Sequence, residues 1–417
     1  MQSIPASLAR FSTIGHGARR GLLLEGSVPG VGEASVYLPS AAASRRGLRV
    51  VYVDSRKLAA STYADSVNLA SLGDQLIWDG TTPPFVAVVA HTAGPAERTR
   101  LEAWAVKGLP IARGRHDRTV LSVPSRTHAS LAGRLTRALQ SRAARRSSAA
   151  AWAVAPVGFS PLLSGPDGGT IWSGPIRDSA VPTLERQSLV YLPPNVSRAR
   201  RYPLVILLHG LRGSPYSFAG GLRLAAAADP LIGSRQVRPF IAVMPPAGLT
   251  PSFDGEWTGP WERYVVADVI PWASAHLPVE RDAAGRVIAG FSAGGYGAVD
   301  IALRHPGTFG VAESWSGYFD APRDGSLRHA APAERAAHTP ALLLARDRTQ
   351  VRASGLRILV SAGRGEQVVL RATRRFGGEL AALGLPSRVL VMPGAHDGKQ
   401  WNALLGPALR YALPVRG

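Results

Sequence analysis

Residues Arg286–His305 read RVIAGFSAGGYGAVDIALRH. The first five have the pattern of a short buried strand, and GGYGAVDIALRH continues with helical periodicity. A G-x-S-x-G pentapeptide is expected by chance roughly 0.4 times in a chain this rich in glycine, so its placement between strand and helix carries the reading. At such a junction Gly290 and Gly294 fall where a sharp turn would crowd a Cβ, and the turn lifts the Ser292 hydroxyl above the sheet edge.

From about residue 184 onward the same rhythm recurs. RQSLVYLPP, YPLVILLHG, FIAVMPP, RVIAGFS, GVAESWSG and LRILVSAG read as strands, and WERYVVADVIPWASAHL and ATRRFGGELAALG read as helices between them. Short apolar strands alternating with amphipathic helices predict an α/β fold with a mostly parallel sheet covered on both faces. Ligands of such sheets bind at the carboxyl ends of the strands.

A serine hydroxyl needs a base. His396 in VLVMPGAHDGKQW follows the last apolar strand, whereas His209 precedes the glycine turn HGLRG, where a backbone donor loop is more useful than a base. Glu366 in ILVSAGRGEQ follows the penultimate strand and completes the order serine, acid, histidine, with Asp320 and Asp324 as weaker candidates. An oxyanion would be met by the amides of Ala293, directly after the serine, and Leu211 in LLHGLRG, where Gly210 permits close approach. Trp257, Trp261 and Trp401 are pocket candidates that could equally be core aromatics, and Arg212 could meet an anionic headgroup.

Residues 186–412 resemble the esterase branch of the α/β-hydrolase superfamily, the group that contains S-formylglutathione hydrolases, feruloyl and enterochelin esterases and mycobacterial mycolyltransferases. LLHGLRG, GFSAGGYGA and GAHDGKQW carry the resemblance. It implies that Ser292 attacks an ester carbonyl, that His396 is general base and then acid, that Glu366 orients it, and that Leu211 and Ala293 form the oxyanion hole. It calls for no metal or organic cofactor. The expected function is a serine esterase forming an acyl-enzyme from a carboxylic ester, with a lipid or aminoacyl-phospholipid ester as one substrate class. The alternatives are an acyltransferase of mycolyltransferase type and a catalytically silent envelope-binding protein.

The first half carries a fainter copy of the plan. GEASVYLPS parallels RQSLVYLPP with Val36 against Val190, and PFVAVVAHTAG parallels PFIAVMPPAG with Phe85 against Phe240, offsets of 154 and 155. Ser125 can be laid opposite Ser292, without elbow glycines around it. The expected organisation is an N-terminal, non-catalytic α/β domain over 1–165, descended in part from the same fold, then 166–185 as a linker or first strand region, then a catalytic domain over 186–417.

The chain has 48 Lys plus Arg, almost all arginine, against 28 Asp plus Glu, for a formal charge of +20. This favours anionic partners, including peripheral contact with an anionic membrane or envelope, and RLTRALQSRAARR, with Leu131, Leu135 and Leu139 at helical spacing, is either a solvated helix face or such a contact. No zinc-finger, RNP-like or recognition-helix pattern supports nucleic acid. The absence of cysteine excludes disulfides and thiolate chemistry. No stretch has the eighteen apolar residues of a membrane span, and MQSIPASLARFSTIGHGARRG lacks a signal-peptide core, so a soluble chain is expected, exported or anchored only if a signal precedes it.

Overall fold

A computed structural model describes residues 4–16, 21–40, 47–54, 69–78, 84–90, 94–111, 118–122, 150–177, 187–247, 255–323 and 327–415, with Ala60, Ala64, Thr82 and Leu135. Ser125, Asp324, Leu131, Leu139 and most of the basic stretch around them lie outside the described residues. The chain divides into two compact units, 1–145 and 146–417.

The first unit is a six-stranded sheet: β1 (Ser12–His16), β2 (Leu22–Val28), β3 (Gly32–Leu38), β4 (Arg49–Asp54), β5 (Phe85–Ala90) and β6 (Arg118–Ser122), in the order β1-β2-β3-β5-β4-β6. Strands β4, β5 and β6 are mutually parallel and the rest antiparallel. Helices α1 (Leu69–Trp78) and α2 (Pro95–Gly108) accompany it. Alternate residues of β5 enter two apolar clusters, Phe85, Ala87 and Val89 in one and Val86, Val88 and Ala90 in the other, so the sheet is covered on both faces.

The second unit is a nine-stranded sheet. Its strands are β7 (Ser160–Ser164), β8 (Thr170–Gly174), β9 (Ser188–Leu192), β10 (Leu204–Leu208), β11 (Ile241–Met244), β12 (Arg286–Phe291), β13 (Val311–Trp315), β14 (Arg357–Gly363) and β15 (Ser387–Met392). They follow the order β15-β14-β13-β12-β10-β11-β9-β8-β7. All pairings from β15 to β11 are parallel, and β9, β8 and β7 add antiparallel strands at one edge. The longer helices are α3 (Leu224–Gly233), α4 (Ala293–Arg304), α5 (Gln367–Ala382) and α6 (Gly398–Ala412). Every residue of β10 is buried, as its unbroken LVILL run requires of a central strand.

The 166–185 passage read as a linker or first strand region holds β8, and β7 lies in the stretch expected to close the N-terminal domain. Trp172 on β8 shares a buried cluster with Ala151, Val154 and Val190, which draws residues from 146 onward into the second unit. None of the described helices is long and apolar enough to cross a membrane.

One buried carboxyl makes the core pH-sensitive. Glu313 on β13 is 1% exposed, its Oε2 accepting from Trp315 Nε1 at 2.9 Å, and burial pushes it up to about 8. Between the usual carboxylate range and about 8, the folded state keeps a proton that the unfolded chain loses, so stability falls as pH rises through that window. Urea unfolding of Glu313→Gln from pH 5 to 9 is expected to show a shallower decline than the parent; identical slopes would refute the assignment.

Candidate active site

Strand β12 lies between β10 and β13, and Ser292 follows its last residue. Ser292 has φ 56° and ψ −123°, a conformation that costs a non-glycine residue about 1–3 kcal/mol. Its neighbours hold it there. Its N–H donates to Trp315 O at 2.8 Å, and its carbonyl accepts from the N–H groups of Gly295 and Tyr296 at 2.9 and 3.0 Å. The flanking glycines serve packing. A Cβ on Gly294 would lie 1.9 Å from Leu208 O, and one on Gly290 would lie 2.4 Å from Gly294 O, so α4 starts against the end of β10 with no room for a side chain.

Three side chains from three strand ends meet here. His396 Nε2 lies 2.9 Å from Ser292 Oγ, and His396 Nδ1 lies 2.5 Å from Glu366 Oε1. Glu366 follows β14, and its other oxygen, Oε2, accepts from Gly363 N–H and, at 2.7 Å, from Ser316 Oγ. Burial by itself would raise this carboxyl. The bonds from His396, Gly363 and Ser316 outweigh that and hold it below the usual range. The Glu366 side chain is 2% exposed, whereas that of His396 is 44% exposed, so the relay runs from a buried anion outward to an accessible ring. Asp397 fixes the loop that carries His396 by capping α6, its Oδ1 accepting from Lys399 and Gln400 N–H at 3.0 Å each.

The loop after β10 closes on the same serine. A Cβ at Gly210 would come within 3.0 Å of Ser292 Cβ. His209 is buried and braces this loop. Its Nε2 accepts from Ala247 N–H at 3.1 Å, which leaves Nδ1–H to donate to Gly210 O at 2.9 Å. Among the described residues, the amides of Leu211 and Ala293 have no hydrogen-bond acceptor. Arg212, with φ 60°, is exposed beside them.

The three tryptophans part company. Trp257 and Trp261 are 0% and 2% exposed in the core, so the pocket reading gives way to a packing one. Trp257 Nε1 donates to His209 O at 2.8 Å and so supports the loop from behind. Trp401 is half-buried at the site, stacked on Phe291 at 4.4 Å and edge-on to His396 at 5.1 Å. Asp320 forms an exposed pair with Arg375 at 3.0 Å, away from His396's carboxylate contact.

Ser316 was not among the residues singled out from the sequence. Fully buried with φ 54°, it donates to Glu366 and accepts from Trp401 Nε1 at 3.1 Å. It thereby ties the acid to the ring that flanks the histidine. Its only signal was a serine before a glycine at the end of a predicted strand.

Among the described residues, Glu262, Asp300 and His338 could present ligand atoms to a metal ion. The structure gives them other partners. Glu262 Oε1 accepts from Arg304 at 2.9 Å and pairs with His305 at 2.7 Å, and Asp300 pairs with His338 at 2.8 Å. The arginine already supplies the positive charge a metal would bring, so the trio fits a structural network fastening α4.

The sheet order, the strained serine and the three-residue relay define an α/β-hydrolase of the esterase branch. Residues 179–412, more than half of the chain, match the family model described as "Putative esterase", and the chain belongs to this Esterase family. Esterase Rv1288 of Mycobacterium tuberculosis (strain ATCC 25618 / H37Rv) is 32% identical over 147 residues, 33% of this chain and 30% of that protein. The endo-1,4-beta-xylanase/feruloyl esterase of Xylanibacter ruminicola is 31% identical over 131 residues, 29% of this chain and 18% of that protein. The matches thus span less than a third of the curated relatives' length. Among solved structures, a ferulic acid esterase superposes with a TM-score of 0.54 at 20% identity, covering 60% of this chain and 99% of that one. An S-formylglutathione hydrolase from Agrobacterium tumefaciens gives 0.50 at 16% identity, covering 63% and 100%.

The elbow's tolerance is directly testable. Gly294→Ala is expected to destabilise the second unit by about 3 kcal/mol or more in urea unfolding. Parent-like stability would mean that the contact with Leu208 O is not binding.

Proposed function

We propose that this chain is a serine ester hydrolase that works through an acyl-enzyme. The observation that carries the reading is the continuous relay from Ser292 Oγ through both nitrogens of His396 to a Glu366 carboxylate held ionised. Ser292 Oγ attacks the ester carbonyl carbon while His396 Nε2 takes its proton. The resulting oxyanion sits on the Leu211 and Ala293 amides. As the carbon–oxygen bond to the alcohol breaks, His396 returns the proton to the leaving oxygen. Water then attacks the acyl-serine with His396 again as base, and the acid departs as Ser292 regains its proton. An alcohol in place of water would give acyl transfer by the same steps. Glu366 keeps the imidazole in the Nδ1–H tautomer and stabilises the imidazolium.

The substrate class we favour is an ester with an apolar acyl group presented near negative charge, such as a lipid or aminoacyl-phospholipid ester. Support comes from the net charge of +20 and from exposed Leu211, Arg212, Tyr216, Arg364 and Val368 on the segments that carry the oxyanion loop and the acid. Apolar and cationic side chains together suit an anionic interface.

With p-nitrophenyl esters, Ser292→Ala is expected to lower kcat about a millionfold, and Glu366→Gln about ten-thousandfold, with KM little changed. Turnover surviving in Ser292→Ala would reject the nucleophile. For the substrate class, hydrolysis of a lipid ester in anionic vesicles should exceed that in zwitterionic vesicles and fall with salt; indifference to both would reject the class but not the chemistry.

A further inference from the structure

The two units repeat one another in far more detail than strand order. Each opens with an antiparallel hairpin whose register slips at the same place, between Thr13 and Gly15 in β1 and between Pro161 and Leu163 in β7. Tyr37 on β3 stands opposite Ala87 on β5, and Tyr191 on β9 stands opposite Ala242 on β11. Val50 on β4 faces Val86 and Arg118, and Leu204 on β10 faces Ile241 and Arg286. Even an isolated bridge recurs, Leu48 with Ile111 and Tyr202 with Val279, each beside an N–H bonded to a proline carbonyl at 3.0 and 2.9 Å. The numbering offset is constant within each segment: 148 for the hairpin, 154 through β3 and β4, 155 for β5 and 168 for β6.

The side chains repeat too. Asp74 on α1 accepts from Tyr37 OH at 2.9 Å and Gly21 N–H at 3.0 Å. Asp229 on α3 accepts from Tyr191 OH at 2.8 Å and Gly169 N–H at 2.9 Å. Both carboxylates are buried, and a Cβ on Gly21 or Gly169 would strike its aspartate at 2.2 or 2.1 Å. Phe11 stacks on Trp104 as Phe159 stacks on Trp272, each lying over a glycine, Gly26 or Gly174. General rules of α/β folding give the strand order. They do not give a buried aspartate clamping a tyrosine to a glycine amide at matching registers, because burying a carboxylate is unfavourable and is not demanded by sheet formation.

We infer that the N-terminal unit is a second copy of the first half of the hydrolase fold, matched from the opening hairpin through the strand that precedes the nucleophile, and that it supplies no reacting group. In the second unit β12 is flanked by β10 and β13; among the described residues β6 pairs only with β4. The observed register sets Ser122 opposite Asp54 as Gly290 is opposite Leu208. Counted along the sequence, Pro124 rather than Ser125 then corresponds to Ser292, one residue from the sequence alignment. A proline there offers no hydroxyl. The structural part of the inference stands apart from the proposed serine chemistry; the statement about reacting groups rests on it.

The test uses the full chain with hydrogen exchange and ester turnover read together. Asp74→Asn and the milder Tyr37→Phe are expected to speed exchange at least about tenfold in β2, β3 and β5, leave β8, β9 and β11 unchanged, and leave kcat within about twofold. Asp229→Asn and Tyr191→Phe should speed exchange in β8, β9 and β11 by a similar factor. Unchanged exchange in the Tyr37→Phe and Asp74→Asn variants, against a clear effect of the Tyr191→Phe and Asp229→Asn pair, would overturn the equivalence. Loss of turnover in Tyr37→Phe with the exchange of residues 146–417 intact would overturn the non-catalytic assignment. Failure of the serine chemistry itself would show instead as turnover in Ser292→Ala.

Discussion

The contact between the end of β10 and the start of α4 governs the second unit. Leu208 O occupies the space that a side chain at position 294 would need, so the helix can begin there only as glycine. That approach forces Ser292 into its strained conformation, and the bonds to Trp315 O and from Gly295 and Tyr296 hold it there. The same approach brings the loop after β10 against the serine, so the Ser292 hydroxyl and the Leu211 and Ala293 amides are placed by one constraint. Preorganised donors and a fixed hydroxyl are what acyl transfer requires of a scaffold, since little then has to move as charge develops.

The relay behind the serine is layered by burial. Glu366 is enclosed and triply hydrogen-bonded, His396 is open on one side, and Ser316 with Trp401 joins the two from beneath. An ionised carboxylate inside a protein is tolerated only with such partners. Ser316 therefore matters to the electrostatics of the site as much as to its shape, although it touches neither the serine nor the histidine in the hydrogen bonds described.

Much of this was legible in the residues. The parallel strands announced themselves as short apolar runs, and the elbow, the acid and the histidine each followed one of them. What stayed hidden depended on contacts between distant segments. Ser316 has no local pattern that distinguishes it from any serine after a strand. Trp257 sits in a stretch whose glycines suggest a loop and Trp261 opens a predicted helix, and only packing decides between the pocket and core readings of both. Strands β7 and β8 lie in a passage dense with turn residues, because edge hairpins lack the continuous apolar runs of central strands. In the first unit the offsets of 154 and 155 were visible where valines and phenylalanines repeat, while the hairpin at 148 and the slip to 168 needed the registers themselves.

The proposed chemistry makes Ser292 a nucleophile activated by His396 and Glu366. Its most direct test is the intact mass of the chain after exposure to a fluorophosphonate probe, followed by peptide mapping. One adduct per chain is expected, carried by Ser292. A chain that stays unlabelled, or one labelled at another residue, would contradict it.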